Sequence, residues 1–458
     1  MPAQALSSLP TRIDDSRLDP ARVSRAAVAV IDGLRDAGFD AYLVGGCVRD
    51  LLLGRTPKDF DIASDATPEE VREVFPRVRV VGRRFRIAHV RIRREVIEVS
   101  TFRRALDEGD GRRPVVSSEG VILRDNAYGA IHEDAFRRDF TANALYYDPI
   151  GHVLLDYCDG LKDLEARTLR AIGDPETRFR EDPVRILRAV RFATKLDLTL
   201  HAETRRAIAP TRAMLDAIPP ARLFDEFGKL FMGGAGERTF EALQQHDLMS
   251  HLVPLSEDGG DLARLALANT DQRIREGKPV TPGFLLAAFL WPEFVHRTET
   301  AGPRQPTEEQ LDSAAMAVLA AQQSTLAIPR RHAYFVREVW RLQPALAWRT
   351  AKNVPRVLAH RRFRAAYDFL LLRSEVDEEP SAGERPRREA AGRGTAPHNG
   401  ELRELADWWT EAQTLDADDL AQRLPRERSP RRRRRRYAHG NRRKSNPMAT
   451  ANGAAAAP

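Results

Sequence analysis

Two aspartates, Asp59 and Asp61, stand one residue apart in the stretch "YLVGGCVRDLLLGRTPKDFDIAS", behind the paired glycines Gly45 and Gly46. Side chains alternate along a strand, so if "KDFDIAS" is one, Phe60 and Ile62 point into a core while the two carboxylates share the other face. Two like charges that close raise each other's titration and cost stability. The cost is offset if divalent cations lie between them. Hard oxygen donors suit Mg²⁺, and paired ions roughly 3.5 to 4 Å apart clamp the attacking and leaving oxygens in phosphoryl transfer. A solvated strand face is the plain alternative, and a D-x-D by itself does not decide between them.

The glycines shift the balance. "GGCVRD" puts a strand end, two residues without side chains and a helix start in succession. Its spacing is neither that of a dinucleotide-binding loop nor that of a P-loop. Backbone amides there can approach a triphosphate closely, and Arg49, one turn into the helix, can reach the same phosphates. A nucleoside triphosphate cradle thus precedes a metal-binding carboxylate pair. Glu98 is a further acid on the strand face opposite Ile97 and Val99. It competes to join the pair, against a plain salt bridge to a nearby arginine.

A second constellation lies in "REDPVRILRAVRF", residues 180–192. Pro183 suits a first helical position, which makes Asp182 an N-cap with a wholly structural role. Arg185, three residues on, lies over the same helix face, and together they offer one acceptor and a fork of donors. That set matches the amine-plus-acceptor edge of adenine and cytosine and opposes the reversed edge of guanine and uracil. Arg188 lies further around the helix and still reaches a nucleotide. Arg191, about 180° from Asp182, needs a bend to do so.

These groups need a scaffold. The pattern from Asp19 to Gly38 reads as a helix, with Asp19 as N-cap and Pro20 in the first position. "AYLVGG", "KDFDIAS", "FRIAHVRI" and "EVIEVSTF" read as strands, and "TPEEVREVF" as a helix opened by a capping box at Thr67 and Glu70. Residues 104–125 read as a mobile loop. Beyond Tyr147 strand signals fade and helical spacing takes over. The expected fold is an α/β head followed by an all-α neck and body. Its boundaries are a flexible N-terminus (1–18), head (19–148), neck with the base-reading motif (149–240), RNA-binding body (241–376), linker (377–400), one amphipathic helix (401–425) and a disordered basic tail (426–458).

Charge is uneven. Of the net +7, residues 426–444 supply +10, with ten Arg and one Lys against Glu427, leaving −3 elsewhere. Such a block reads as a solvated arm that binds nucleic acid. Arg431, Arg432, Arg433, Arg434, Arg435 and Arg436 are its candidate RNA contacts. The longest apolar run, "FLLAAFLW", is far short of the ~18 residues of a membrane span. Two cysteines and no secretory h-region point to a reducing cytoplasm.

The runs "VGGCVRDLLLGRTPKDFDIA", "RRDFTANAL" (137–145) and "REDPVRILRAVRF" together resemble the class II nucleotidyltransferases of the polymerase β superfamily. That family comprises CCA-adding tRNA nucleotidyltransferases and bacterial poly(A) polymerases. The resemblance implies that Asp59 and Asp61 hold two Mg²⁺ ions and that Gly45, Gly46 and Arg49 meet the nucleotide's phosphates. It also implies that Arg138 and Asp139 contact the incoming nucleotide, Asp139 as the third acidic residue of the site, and that Arg185, Arg188 and Arg191 contact it too.

"RRFRAAYDFLLLRSEV", "ARLFDEFGKLF", "ADWWTEA" and the arginine-rich tail are similar to the body of bacterial poly(A) polymerases. The implied activity is template-independent addition of AMP from ATP to RNA 3′ ends. CCA addition is the alternative, and an idle RNA-binding protein is the alternative of another class. RNA 3′ ends and ATP are the implied partners, RNA-decay proteins are further candidates, and a monomer is expected. In the family an arginine-rich run often follows "DEEPS" directly; here it comes some 45 residues later, which leaves the tail's role open.

Overall fold

A computed structural model describes residues 9–14, 17–82, 86–104, 115–116, 122–124, 127–253, 260–300, 306–376 and 399–424. The head is built on an eight-stranded mixed sheet. Its strands are β1 (Thr11–Ile13), β2 (Ala41–Val44), β3 (Asp61–Ser64), β4 (Val78–Val81), β5 (Ile87–Ile92) and β6 (Glu95–Thr101). After a separate hairpin of β7 (Val115–Val116) and β8 (Ile122–Arg124) come β9 (Leu145–Asp148) and β10 (Val153–Asp156). The order across the sheet is β1-β10-β9-β2-β3-β6-β5-β4. Neighbours run antiparallel except β3 and β6, whose parallel register sets Asp61 opposite Glu98.

Local sequence explains most of these elements, and several boundaries move. The helix expected from Asp19 is split: Asp19 caps a short 3₁₀ turn (Pro20–Arg22), and the α-helix proper is Arg25–Asp36. Ser24 caps it by accepting from the N–H groups of Ala26 and Ala27. Its stripe Ala27, Val30, Ile31 and Leu34 is wholly buried. The Thr67 and Glu70 capping box forms as expected.

The head is also longer at both ends than its expected bounds of 19 and 148. Residues 11–13, expected in a flexible N-terminus, pair with β10, and β10 lies in the region expected to be neck. Edge strands this short carry too few alternating residues to stand out in a sequence. Strand β4 was likewise not expected.

Helices take over from Gly160. The neck helix Val184–Leu196 and the crossing helix Pro220–Phe231 pack together, each with a buried apolar stripe. One hydrophobic core runs from the head through both into the body, including Val48, Phe140, Leu187, Phe227, Phe289 and Trp340. This continuity fixes the carboxylates on the sheet relative to the arginines on the neck.

A second core gathers around Trp409, whose indole donates to the Leu346 carbonyl at 2.9 Å. The amphipathic helix expected over 401–425 is two helices, Asn399–Ala412 and Ala417–Arg423, the second capped by Asp416. The linker residues 377–398 and the tail residues 425–458, Arg431 to Arg436 among them, lie outside the described residues. So does most of the 104–125 loop.

Candidate active site

The carboxylate pair is less regular than the strand pattern implies. Strand β3 begins at Asp61, and Asp59 sits exposed in the bend before it. Ile62 and the half-buried Phe60 do pack in the core. Burial first, then the charge of Glu98 and, least, that of Asp59, push the Asp61 carboxyl up to about 6, against the opposing pull of Arg138. Glu98 therefore sits beside the pair through the strand register, and its own partner is His89 at 3.3 Å, not an arginine.

Arg138 is the cation whose charge opposes these acids at Asp61, and it is firmly held. Its guanidinium donates to Asp134 at 2.9 Å and to the Tyr146 hydroxyl at 3.0 Å, while Tyr146 donates to the same Asp134 oxygen at 2.7 Å. Its Nη1 lies 3.5 Å from where a Cβ on Gly45 would stand. Gly45 has φ +76°, a conformation that disfavours any side chain, and the helix Gly46–Leu52 starts directly after it. The glycine turn is thus both a left-handed backbone and a place where an arginine comes close.

Asp139 belongs to a different cluster. Arg188 reaches its Oδ2 at 2.6 Å and Asn143 donates to its Oδ1 at 3.0 Å. Burial alone would raise this carboxyl, but Arg188 and Asn143 hold it down to about 2. Asn143 also accepts from Arg49 Nη1 at 2.6 Å, so the glycine helix, the "RRDFT" segment and the neck helix are tied through one amide. The acid that the structure sets beside Asp61 is Glu98, whereas Asp139 is engaged with the neck.

Three guanidiniums converge on the ring of Phe192: those of Arg49 at 5.1 Å, Arg188 at 5.1 Å and Arg191 at 4.5 Å. Arg191 thus joins the cluster without a bend, because Asp182 precedes the helix and the angle counted from it does not apply. Burial and the charge of Arg188 lower the Arg191 guanidinium to about 10. Such convergence of positive charge suits polyphosphate oxygens.

Asp182 and Arg185 do not pair with each other. Arg185 donates to Glu181 at 3.0 Å and to the Arg178 carbonyl at 3.0 Å. Asp182 makes no N-cap bond through its side chain; its Oδ2 accepts from Arg222 of the crossing helix at 2.8 Å. Its Oδ1 is buried with no hydrogen-bond partner in the protein. An orphaned buried acceptor is costly unless a ligand supplies a donor. The capping role is therefore not what this side chain performs.

Four residues of this site stand outside the set expected from the sequence. Arg222 orients Asp182. Asn143 bridges Arg49 and Asp139. Arg178 donates to the Arg138 carbonyl at 2.9 Å and straps the neck to the head. Glu226, buried on the crossing helix with one orphaned oxygen, opposes the positive charge of Arg188 and Arg191. The heptad-like spacing of "PARLFDEFGKLF" marks a buried helix face, and an acid and an arginine on such a face were the readable clue.

Comparison with known proteins agrees with this geometry. The family described as "Poly A polymerase head domain" matches residues 41–170. "Probable RNA and SrmB-binding site of polymerase A" matches residues 197–258, and "Polymerase A arginine-rich C-terminus" matches residues 304–444. Poly(A) polymerase I of Haemophilus influenzae is 41% identical over 419 residues, 88% of this chain and 88% of its own. The chain belongs to the bacterial poly(A) polymerase family.

The Escherichia coli O6:H1 poly(A) polymerase I is 42% identical over 432 residues, 90% of this chain and 88% of its own. A CCA-adding enzyme of Bacillus licheniformis is 39% identical, but over only 59% of this chain and 63% of its own. A solved CCA-adding enzyme without ligand superimposes with a TM-score of 0.56 at 20% identity, covering 90% of this chain and 98% of that one. This last likeness establishes the nucleotidyltransferase fold with its helical body.

Proposed function

We propose that the chain transfers AMP from ATP to RNA 3′-hydroxyls without a template, releasing pyrophosphate. One observation favours this over CCA addition: poly(A) polymerases match it across 88–90% of its length, body included, whereas the CCA-adding relative of Bacillus licheniformis stops at 59%. The cytoplasm is the proposed compartment, in keeping with Cys47 and Cys158, both free and buried. A monomer, acting alongside RNA-decay proteins, is the proposed working form.

The residues fit Mg²⁺. Asp61 lies opposite Glu98 in the strand register with Asp59 two residues before it, hard oxygen donors of the kind Mg²⁺ takes, and the nearby charge of Arg138 does not bring Asp61 back to an ordinary carboxylate range. Asp59 and Asp61 would hold the metal, which when bound lowers the pKa of the RNA 3′-hydroxyl and offsets charge on the pyrophosphate. The remaining tasks fall to the chain itself. The Gly45 turn lets the backbone approach the triphosphate, and Arg49, Arg188 and Arg191 offer donors to its oxygens. Asp182, held by Arg222, presents its orphaned Oδ1 to an exocyclic amine, and Arg185 is the nearby donor. Such a pair of contacts admits adenine and cytosine and leaves guanine with unpaired groups.

The test supplies purified protein with an unstructured oligoribonucleotide and Mg²⁺, with ATP alone or CTP alone. A long ladder with ATP is expected. Additions confined to tRNA-like ends and to CTP followed by ATP would replace the proposal with CCA addition.

A further inference from the structure

The tail is not the only cationic region. Residues 339–367 hold seven Arg and Lys and no Asp or Glu, inside a chain whose remainder outside the tail is net negative. These residues are folded. They span the second half of the long body helix Arg330–Ala347, a turn, the short helix Asn353–Leu358 and the start of the helix Phe363–Val376. Arg349, Lys352, Arg356, Arg361 and Arg364 are all exposed.

At the corner of this ridge stands Trp348, 55% exposed. Tryptophan is seldom left so open, and nothing in the apolar cores requires it there. Its backbone is nonetheless held: Asn353 Nδ2 donates to the Trp348 carbonyl at 2.8 Å and to the Ala345 carbonyl at 2.7 Å, closing the end of the long helix. Fourteen residues earlier on the same helix, Tyr334 is 57% exposed, with the Arg337 guanidinium 5.6 Å from its ring centre. At 1.5 Å per residue the two rings lie roughly 21 Å apart along the axis. Arg361 and Arg362 both engage Glu338, while Arg337, Arg341 and Arg364 pair with Asp312, Glu308 and Asp368, which leaves Arg349, Lys352 and Arg356 around Trp348 without an ion pair among the described residues.

Exposed rings set among cations are the means by which proteins hold single-stranded nucleic acid, stacking on bases while guanidiniums and ammoniums meet phosphates. An acidic protein surface would need the cations but not two open aromatic faces. We propose that this ridge binds single-stranded RNA upstream of the 3′ end, with Trp348 and Tyr334 as stacking platforms. The inference rests on the RNA-extending reading above, and it assigns the RNA body contact to a folded surface separate from the tail.

The test uses the full chain and an oligoriboadenylate containing 5-iodouridine. Ultraviolet crosslinking without ATP is expected to map to the peptide carrying Trp348. In steady-state extension, Trp348→Ala is expected to raise the KM for RNA roughly tenfold, the effect of losing one base stack, with kcat and the KM for ATP unchanged. Trp348→Phe should retain most of the affinity. Lys352→Glu with Arg356→Glu should lower the salt dependence of binding by about one unit of slope or more. If the wild type extends this primer while Trp348→Ala and the double charge reversal keep its KM, the ridge does not hold RNA and an acidic protein becomes its partner. If the wild type extends nothing, the polymerase reading fails, and the crosslink still decides the ridge.

Discussion

The two ends of the active site handle negative charge in opposite ways. On the sheet, Asp61 lies opposite Glu98 with Asp59 just before it, and burial and these two negative charges outweigh the pull of Arg138, so Asp61 is pushed up to about 6. On the neck, Asp139 is wrapped by Arg188 and Asn143 and held down to about 2. Both carboxylates are substantially buried, so burial is not what separates them. The difference is the supply of counter-charge from the protein itself. An acid cluster left short of cations is poised for a metal from solution, whereas a carboxylate clamped by a guanidinium is a fixed strut that positions its neighbours.

The largest effect should come from breaking the under-neutralised end. Asp61→Asn or Asp59→Ala should reduce AMP incorporation by about three orders of magnitude, corresponding to several kcal/mol of lost transition-state stabilisation. RNA binding, measured by filter retention, should persist. Near-normal incorporation in either variant would overturn the metal assignment.

Breaking the clamped end should act on folding first. Asp139→Ala leaves the half-buried Arg188 guanidinium without its carboxylate and should cost roughly 1 to 2 kcal/mol of stability, read as a lower denaturation midpoint in urea. The pH dependence has a definite sign. Because folding lowers the Asp139 carboxyl to about 2, its stabilisation is present above about 4, the unfolded value, and is lost as pH falls from there toward 2. Asp139→Asn should flatten that acid limb of a stability profile.

Arg222→Ala tests the proposed base contact of the neck more gently. With Arg222 gone, Asp182 loses the donor that orients it, so the KM for ATP should rise about tenfold and preference for ATP over GTP should weaken, with kcat less affected. Arg222→Lys should restore part of both. An unchanged ATP preference would leave Arg222 a structural tie.

The smallest and sharpest test is Glu98→Gln. If Glu98 acts only as a neighbouring charge, removing it lowers the Asp61 carboxyl, and activity should extend to lower pH with little change at pH 8. A loss as severe as that of Asp61→Asn would make Glu98 a third metal carboxylate.

Much of this site was legible without coordinates because its chemistry is written in short segments. The glycine turn, the D-x-D, "RRDFT" and the arginines of the neck helix each declare themselves through residue type and local spacing. The alternation of Phe60 and Ile62 and the capping box at Thr67 likewise depend on neighbours within a few residues. Sequence also located the tail's charge, although its average masked the ridge at 339–367.

Residue types and local spacing dictate the inventory: two closely spaced acids, a glycine turn, a cluster of arginines and an α/β head joined to helices. The pairing of these parts was decided only by tertiary structure. Asp182 meets Arg222 forty residues away, Asn143 joins Arg49 to Asp139, and strand register sets Glu98 against Asp61. Periodicity fixes which face of an element is buried, but it cannot say which other element arrives at that face. A carboxylate's partner, and hence its charge state and role, depends on that arrival.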